Sequence, residues 1–396
     1  MNRIYLDYAA TTPLDSAARR AMDPFYGKVF GNPSSLHSFG QEASRAVFVS
    51  RKSIVDYVGV RYDEVIFTGS ATEANNMVMQ GAVRAFRHNH ENNKGPVRAI
   101  ISAIEHDSIL KALQNFPEVE MVIIPVDSAG MIDVQALEQA LNENTAIVSV
   151  GYVNGEVGTI QNIAAIGKRI AAFRGAKRFP LFHTDAVQAL QYLNMEVKNL
   201  GVDAMTLSAH KVYGPKGIGA LVLRHPDSNS ITANIINPLI SGGDQEFGMR
   251  PGTENVAAIV GFASAVDILR KIQSKEIKRM QKLGKVFFTS LSKALPGIEL
   301  NGPLFGNDRI SNNINVYLRD LAGPLQNFLV RLDRAGVAAS SGSACASRKA
   351  EASHVLRALY RDKERREKSV RFTLGKMTTG EEVLRAVKII KNIHTT

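Results

Sequence analysis

SAHKVYGPKGIGALVLR, residues 208–224, sets Lys211 in the gap between two short apolar runs, Ala204–Leu207 and Ile218–Leu223. Runs of that length and composition read as strands, so Lys211 falls in the turn that joins them. Gly214, Gly217 and Gly219 follow it, and glycine permits the tight backbone such a turn needs. A lysine held there is a candidate Schiff-base nucleophile. The same residues also describe an ordinary glycine-rich turn with an exposed lysine, and both readings stand at this point.

Working outward, five more runs read as strands: Glu64–Phe67, Val97–Ser102, Val119–Pro125, Ala146–Val150 and Pro180–Thr184. Amphipathic stretches alternate with them. Gln41–Val58 places Ala43, Ala46, Val47, Ile54, Val55 and Val58 on one helical face. Glu73–Phe86, Val134–Leu141 and Ile163–Phe173 read as further helices. This alternation predicts an α/β fold with a mostly parallel seven-stranded sheet covered by helices on both faces. A long helix is expected over Val256–Leu295, followed by strands at Ile310–Tyr317, Val337–Ser340 and Val370–Leu374. That change of texture marks a smaller α+β unit. The expected division is a large unit over 14–260 and a small one made of 1–13 and 261–396.

Two upstream stretches carry further chemistry. In FHTDAVQAL, residues 182–190, Asp185 closes a strand and Gln188 follows one turn later. A carboxylate at the carboxyl edge of a parallel strand faces the crevice where open α/β sheets bind ligands. It also suits a helix N-cap. In FTGSATEANN, residues 67–76, a strand turns through Gly-Ser-Ala-Thr into a helix. The N–H groups there, with Ala71 and the Thr72 hydroxyl, suit a phosphate, while Thr72 also reads as an N-cap. Neither a P-loop nor a dinucleotide fingerprint occurs.

The 396-residue chain, 45% hydrophobic, is long enough for two domains. Its one cysteine, Cys345, excludes an intrachain disulfide and a cysteine-rich metal site, and fits a reducing compartment. No run approaches the roughly 18 apolar residues of a membrane span, and MNRIYLDYAATTP lacks a signal peptide's apolar stretch. A cytoplasmic protein is expected. The net charge of +11 includes RDKERREK, residues 361–368. That run reads as a solvated face, or as an attraction to an acidic partner. Direct nucleic-acid binding is not expected, because no aromatics interleave the charges. His88 and His90, in RHNHENNKG, read as an exposed loop, and no metal site is expected.

A Schiff-base lysine, an aspartate for a pyridinium nitrogen and a phosphate cradle are the parts of a pyridoxal phosphate site. With these parts present, the chain resembles the cysteine desulfurases of the NifS/IscS type, within the fold-type I pyridoxal phosphate enzymes. YLDYAATTP, GNPSSLHSFG, SATEANN, EHDSIL, VNGEVGTIQNI, HTDAVQ, SAHKVYGPKGIGAL, RPGTENV, SSGSACAS and SVRFTLGK occur in family order along nearly the whole chain. The resemblance implies that Lys211 anchors the cofactor, Asp185 pairs with its ring nitrogen and Gln188 bonds its 3-hydroxyl. It implies that His106 stacks on the ring and moves protons, and that Thr72, Ser208 and His210 hold the phosphate. Thr253 would reach the phosphate in a partner subunit, making a homodimer. Arg371 would clamp the carboxylate of L-cysteine, with Asn154 and Asn32 also at the substrate and Asn154 also among the cofactor's contacts. Each also reads locally: His106 as a helix cap, Arg371 as a strand residue paired with an acid, Asn32 as a turn former. The chain ends soon after Ile393, where relatives that dock the iron–sulfur scaffold through a C-terminal extension are longer.

The resemblance also gives Cys345 a task. Its neighbours Ser341, Gly342, Ser343, Ala344 and Ala346 are small, and a small-residue loop lets a thiol travel. The thiol would take sulfur from cysteine as a persulfide, leave alanine, and hand the sulfur to an acceptor protein, an iron–sulfur scaffold or a tRNA thiolase. A selenocysteine lyase, or another fold-type I aminotransferase-like enzyme in which Cys345 is incidental, is the alternative.

Overall fold

A computed structural model describes residues 3–90, 95–224, 235–342 and 353–394. Twelve strands are numbered in chain order: β1 (Ile4–Tyr5), β2 (Val65–Thr68), β3 (Val97–Ser102), β4 (Val119–Ile124), β5 (Thr145–Ser149), β6 (Leu181–Asp185), β7 (Ala204–Ser208), β8 (Gly219–Leu223), β9 (Glu299–Leu300), β10 (Asn313–Tyr317), β11 (Val337–Ala338) and β12 (Ser369–Thr373). The central sheet has seven strands in the order β2-β8-β7-β6-β5-β3-β4. β8 runs antiparallel to both β2 and β7, and the remaining neighbours pair in parallel. All seven expected strands are present, each within about a residue of its expected bounds.

The near-continuous apolar runs have a physical cause. Strands of a parallel sheet are covered on both faces, so both side-chain sets are apolar. Ile100, Val148, Phe182, Met205 and Val222 pack in one core. Their strand neighbours Ala99, Ile101, Ile147, Leu181 and Leu221 pack in another, on the opposite face. The helix Ala71–Asn89 supplies Met77, Val78, Val83 and Phe86 to that second core. The helix Ser38–Val58 buries Ala43, Val47, Ile54 and Val58 toward the first, with Ala46 and Val55 half-buried beside them.

The long helix spans Val256–Ala294 without a break. Its first half joins the central core through Phe262 and Val266. Its second half joins a separate core through Met280, Phe287 and Leu291. That core packs on the antiparallel sheet β12-β10-β9. β1 pairs in parallel with β11, which ties the amino-terminal segment to this region.

One local expectation is corrected. His88 lies inside the helix Ala71–Asn89, and His90 caps its end with its ring stacked on Phe86 at 4.1 Å. RHNHENNKG is therefore only partly a loop, because the apolar face of the helix continues to Phe86 and carries the next turn with it. The basic run forms a short helix, Lys363–Glu367, in which Arg365 turns inward to Glu299 at 2.8 Å and to Asn301.

Candidate active site

The carboxyl ends of the parallel strands open into a cavity of about 530 Å³. Most of the expected side chains meet there: Ala71, Thr72, His106, Asn154, Asp185, Gln188, Ser208, His210, Lys211 and Arg371 all line it. All but Arg371, which lies within β12, are set by the end of a strand of the central sheet or the segment just beyond it. This is the edge at which such sheets bind ligands, because loops there are free of the helices' return path.

Lys211 sits in the β7–β8 turn, as the opening stretch predicts; Ser208 and Gly219 are paired across its base. Its Nζ donates to the carbonyls of Ala9 at 2.6 Å and Ala10 at 2.8 Å. Gln188 Nε2 donates to the same Ala9 carbonyl at 3.0 Å. The turn is held by Tyr213, a non-glycine residue at φ 65°, whose N–H donates to Thr12 Oγ1. That backbone region is strained for a bulky side chain; contacts from Thr12 and from Lys376 N to the Tyr213 hydroxyl hold it.

Asp185 ends β6. Its Oδ1 accepts from Val187 N at 3.0 Å and its Oδ2 from Asn75 Nδ2 at 2.8 Å. No helix follows directly, so Asp185 closes a turn and does not cap a helix. His210, burdened by burial and by the charges of Lys211 and Lys216, is pushed down to about 4, which keeps it neutral. Its Nδ1 contacts Thr11 Oγ1 at 3.1 Å. Asn154 spends its side chain on the loop: Oδ1 accepts from Glu156 N and Val157 N, and Nδ2 donates to Ile104 O.

The helix N-terminus at the phosphate cradle is corrected. Ser70, not Thr72, is the N-cap, its Oγ accepting from Glu73 N at 3.1 Å. Glu73 then accepts from Gly69 N at 2.8 Å, a variant of the reciprocal cap in which the carboxylate reaches one residue further back. The N–H groups of Ala71 and Thr72 head this helix and have no acceptor among the described residues.

Two expected residues stay outside the cavity of a single chain. Thr253 is exposed, and Asn32 turns its Oδ1 onto Ser34 N at 2.9 Å, the turn-forming use its place before Pro33 allows. Cys345 lies outside the described residues. The described chain before it ends at Gly342, where an added Cβ would collide with the Glu156 carboxyl, and it resumes at Ser353, next to His354, which lines the cavity.

Sequence reasoning missed Asn75, Glu105 and Ser108 in the cavity wall, and Asp7, which partners the lining residue Arg371. Arg371 Nη2 donates to Asp7 Oδ1 at 2.8 Å. Glu105 is fully buried; burial, aided by the charge of Asp185 and opposed by the N–H of Gly151, raises its carboxyl to about 8. Asn75 and Ser108 bridge Asp185 to His106. Asp7, Asn75, Glu105 and Ser108 all stand inside the quoted blocks, and their neighbourhood there is the only signal that marks them.

The comparisons with known proteins agree with this geometry. The class-V aminotransferase family matches residues 4–385. The cysteine desulfurase IscS of Dictyoglomus turgidum is 39% identical over 393 residues, 98% of this chain and 94% of that protein. A solved NifS-like protein has a TM-score of 0.88 at 31% identity, covering 99% of both chains. SspA, solved in complex with cysteine, has a TM-score of 0.77 at 31% identity, over 94% of this chain and 98% of that one. With the match spanning nearly the whole chain and the cavity assembled at the sheet's carboxyl edge, the chain belongs to the class-V aminotransferase family, among its NifS/IscS-type cysteine desulfurases.

Proposed function

We propose that this protein is a pyridoxal phosphate-dependent cysteine desulfurase. It takes sulfur from L-cysteine, leaves L-alanine and passes the sulfur, as a persulfide on Cys345, to an acceptor protein, an iron–sulfur scaffold or a tRNA thiolase. One observation carries the reading: Lys211, Asp185, Gln188, His106 and Arg371 converge on a single cavity.

The residues present fit the cofactor. The N–H groups of Ala71 and Thr72, which have no acceptor among the described residues, lie at the start of a 19-residue helix, a ready site for a phosphate. Ser208, His210 and Lys216 line the same cavity. Asp185 supplies a carboxylate for a pyridinium nitrogen, and Lys211 supplies the amine that anchors an aldehyde. When bound, pyridoxal phosphate supplies an electron sink for the charge that develops at the substrate Cα.

The chain's own residues do the rest. Arg371 offers its remaining donors to the substrate carboxylate, a fork suited to two oxygens. Lys211, which lines the cavity, would take the proton from Cα. Gln188 shares the Ala9 carbonyl with Lys211, so the two are held side by side. Both ends of the segment that carries Cys345 adjoin the cavity.

The same reading assigns 14–260 to holding the cofactor, and 1–13 with 261–396 to bringing Arg371 and Cys345 to it. It makes the protein a homodimer in the cytoplasm. Phe30, Leu36, Phe39 and Phe48 are exposed near Asn32 in sequence, and Phe30 packs on Phe39. Large apolar side chains left outside together suit an interface between copies, with Thr253 reaching the partner's phosphate.

The test is to mix purified protein with L-cysteine and a thiol reductant, and to measure alanine and sulfide. Equal release of both is expected, with one added sulfur on the Cys345 peptide by mass spectrometry. Cys345→Ser should keep the cofactor and lose sulfur release. Absence of alanine, or full sulfide release by Cys345→Ser, overturns the reading.

A further inference from the structure

A hydrogen-bonded chain runs from Asp185 to His106 through two side chains that the proposed chemistry does not use. Asn75 is fully buried. Its Nδ2 donates to Asp185 Oδ2 at 2.8 Å and to Ser108 Oγ at 2.8 Å. Ser108 Oγ lies 2.8 Å from His106 Nδ1, and Ser108 N donates to the same nitrogen at 3.1 Å.

The direction of every bond in this chain is determined. A carboxylate only accepts, so the Asn75 amide must turn its NH₂ toward Asp185. The same NH₂ reaches Ser108 Oγ, so that oxygen accepts. The Ser108 hydroxyl proton is then free to point at His106 Nδ1. The backbone N–H of Ser108 is an obligatory donor and points there too. Two donors converge on the Nδ1 lone pair, and the proton of a neutral imidazole is left on Nε2. His106 Nε2 has no partner among the described residues, and the ring lines the cavity.

We propose that Asn75 and Ser108 are positioning residues that fix His106 as its Nε2–H tautomer, so that His106 meets the ligand as a hydrogen-bond donor. With a proton already on Nε2, the ring has no lone pair there to take another. Proton removal at the reacting carbon then falls to Lys211. The ring's part in the chemistry rests on the proposed function; the tautomer does not.

The experiment is nitrogen NMR of the holoenzyme labelled with ¹⁵N-histidine, with His106→Gln used to assign the ring. A pyridine-type Nδ1 and a pyrrole-type Nε2 are expected at neutral pH. Ser108→Ala should give mixed tautomers, and should lower kcat by about tenfold with KM little changed, the effect of one lost hydrogen bond. Ser108→Thr keeps the hydroxyl and should restore both. Asn75→Ala should move the Nδ1 signal although Asn75 does not touch the ring. A proton on Nδ1 in the wild type, or a Ser108→Ala spectrum identical to it, overturns the inference. If Ser108→Ala does not fold, the wild-type spectrum alone decides. A protein that shows the expected tautomer but yields no alanine from L-cysteine supports the inference while overturning the proposed function.

Discussion

Asp7 Oδ1 accepts from Arg371 Nη2 at 2.8 Å, a contact between residues 364 positions apart. The Arg371 side chain is 4% exposed and that of Asp7 19%. Nη1 donates to Gly155 O at 3.1 Å, and Nε is buried with no partner among the described residues. Asp7 therefore neutralises and aims a guanidinium that would otherwise be buried alone, a costly state. Asp7→Asn keeps an acceptor but removes the charge, and should cost about 1–3 kcal/mol of stability. An added carboxylate ligand such as L-alanine should then raise the melting temperature of the variant more than that of the wild type. Equal stabilisation of the two proteins would argue against Arg371 as the carboxylate clamp.

Lys211→Ala removes the proposed anchor and the two bonds to Ala9 and Ala10. Borohydride treatment of the wild type should fix pyridoxal phosphate to the Lys211 peptide. The variant should show no such adduct and no alanine production. An adduct on another lysine, read by peptide mass spectrometry, would move the anchor elsewhere.

Glu105 gives a pH dependence with a definite sign. Its carboxyl is raised to about 8 by burial, so the folded protein keeps a proton that the unfolded chain has released. Stability from this group is fully present below the ordinary carboxylate range and is lost as pH rises through about 8. Glu105→Gln cannot lose that proton. From about pH 5 to about pH 9, the wild type should lose stability relative to Glu105→Gln. Parallel denaturation curves across that range would contradict it.

Ser70→Ala deletes the N-cap at the head of the Ala71–Asn89 helix. The expected loss is about 1 kcal/mol of stability. Because the same helix head is the proposed phosphate site, cofactor dissociation should also quicken. A stability loss with unchanged cofactor release, followed by absorbance after dilution, would separate the cap from the cradle.

Phe30→Asp places a charge among exposed apolar side chains at the proposed interface. Sedimentation should show the wild type as a dimer and the variant shifted toward monomer, with weaker cofactor retention because Thr253 no longer reaches the neighbouring site. A monomeric wild type with full activity would refute the dimer and the role of Thr253 together.

The sequence by itself determined the sheet and the chemical repertoire. Strands β2 to β8 are apolar on both faces, and the helices between them keep one apolar stripe, so period and length alone locate them. Asp185 was legible because it closes β6, and Lys211 because it stands in the turn after β7; strand ends at the carboxyl edge of an α/β sheet converge. The two-residue strands β1 and β9 carry no period and were not legible, whereas β11, equally short, fell within the expected run Val337–Ser340. The start of the helix at Ser70 was misplaced because Ser70 and Thr72 both suit an N-cap, and only the bond to Glu73 N chooses between them.

Tertiary structure decided everything that depends on contacts between distant segments. That Asp7 is the counter-charge of Arg371, that Asn75 and Ser108 join Asp185 to His106, and that Glu105 is buried beside Gly151 are facts of packing. Residue type and local spacing encode a side chain's chemistry and the element that carries it. They do not encode which side chain from another part of the chain arrives opposite, because that follows from how separate elements dock on one core.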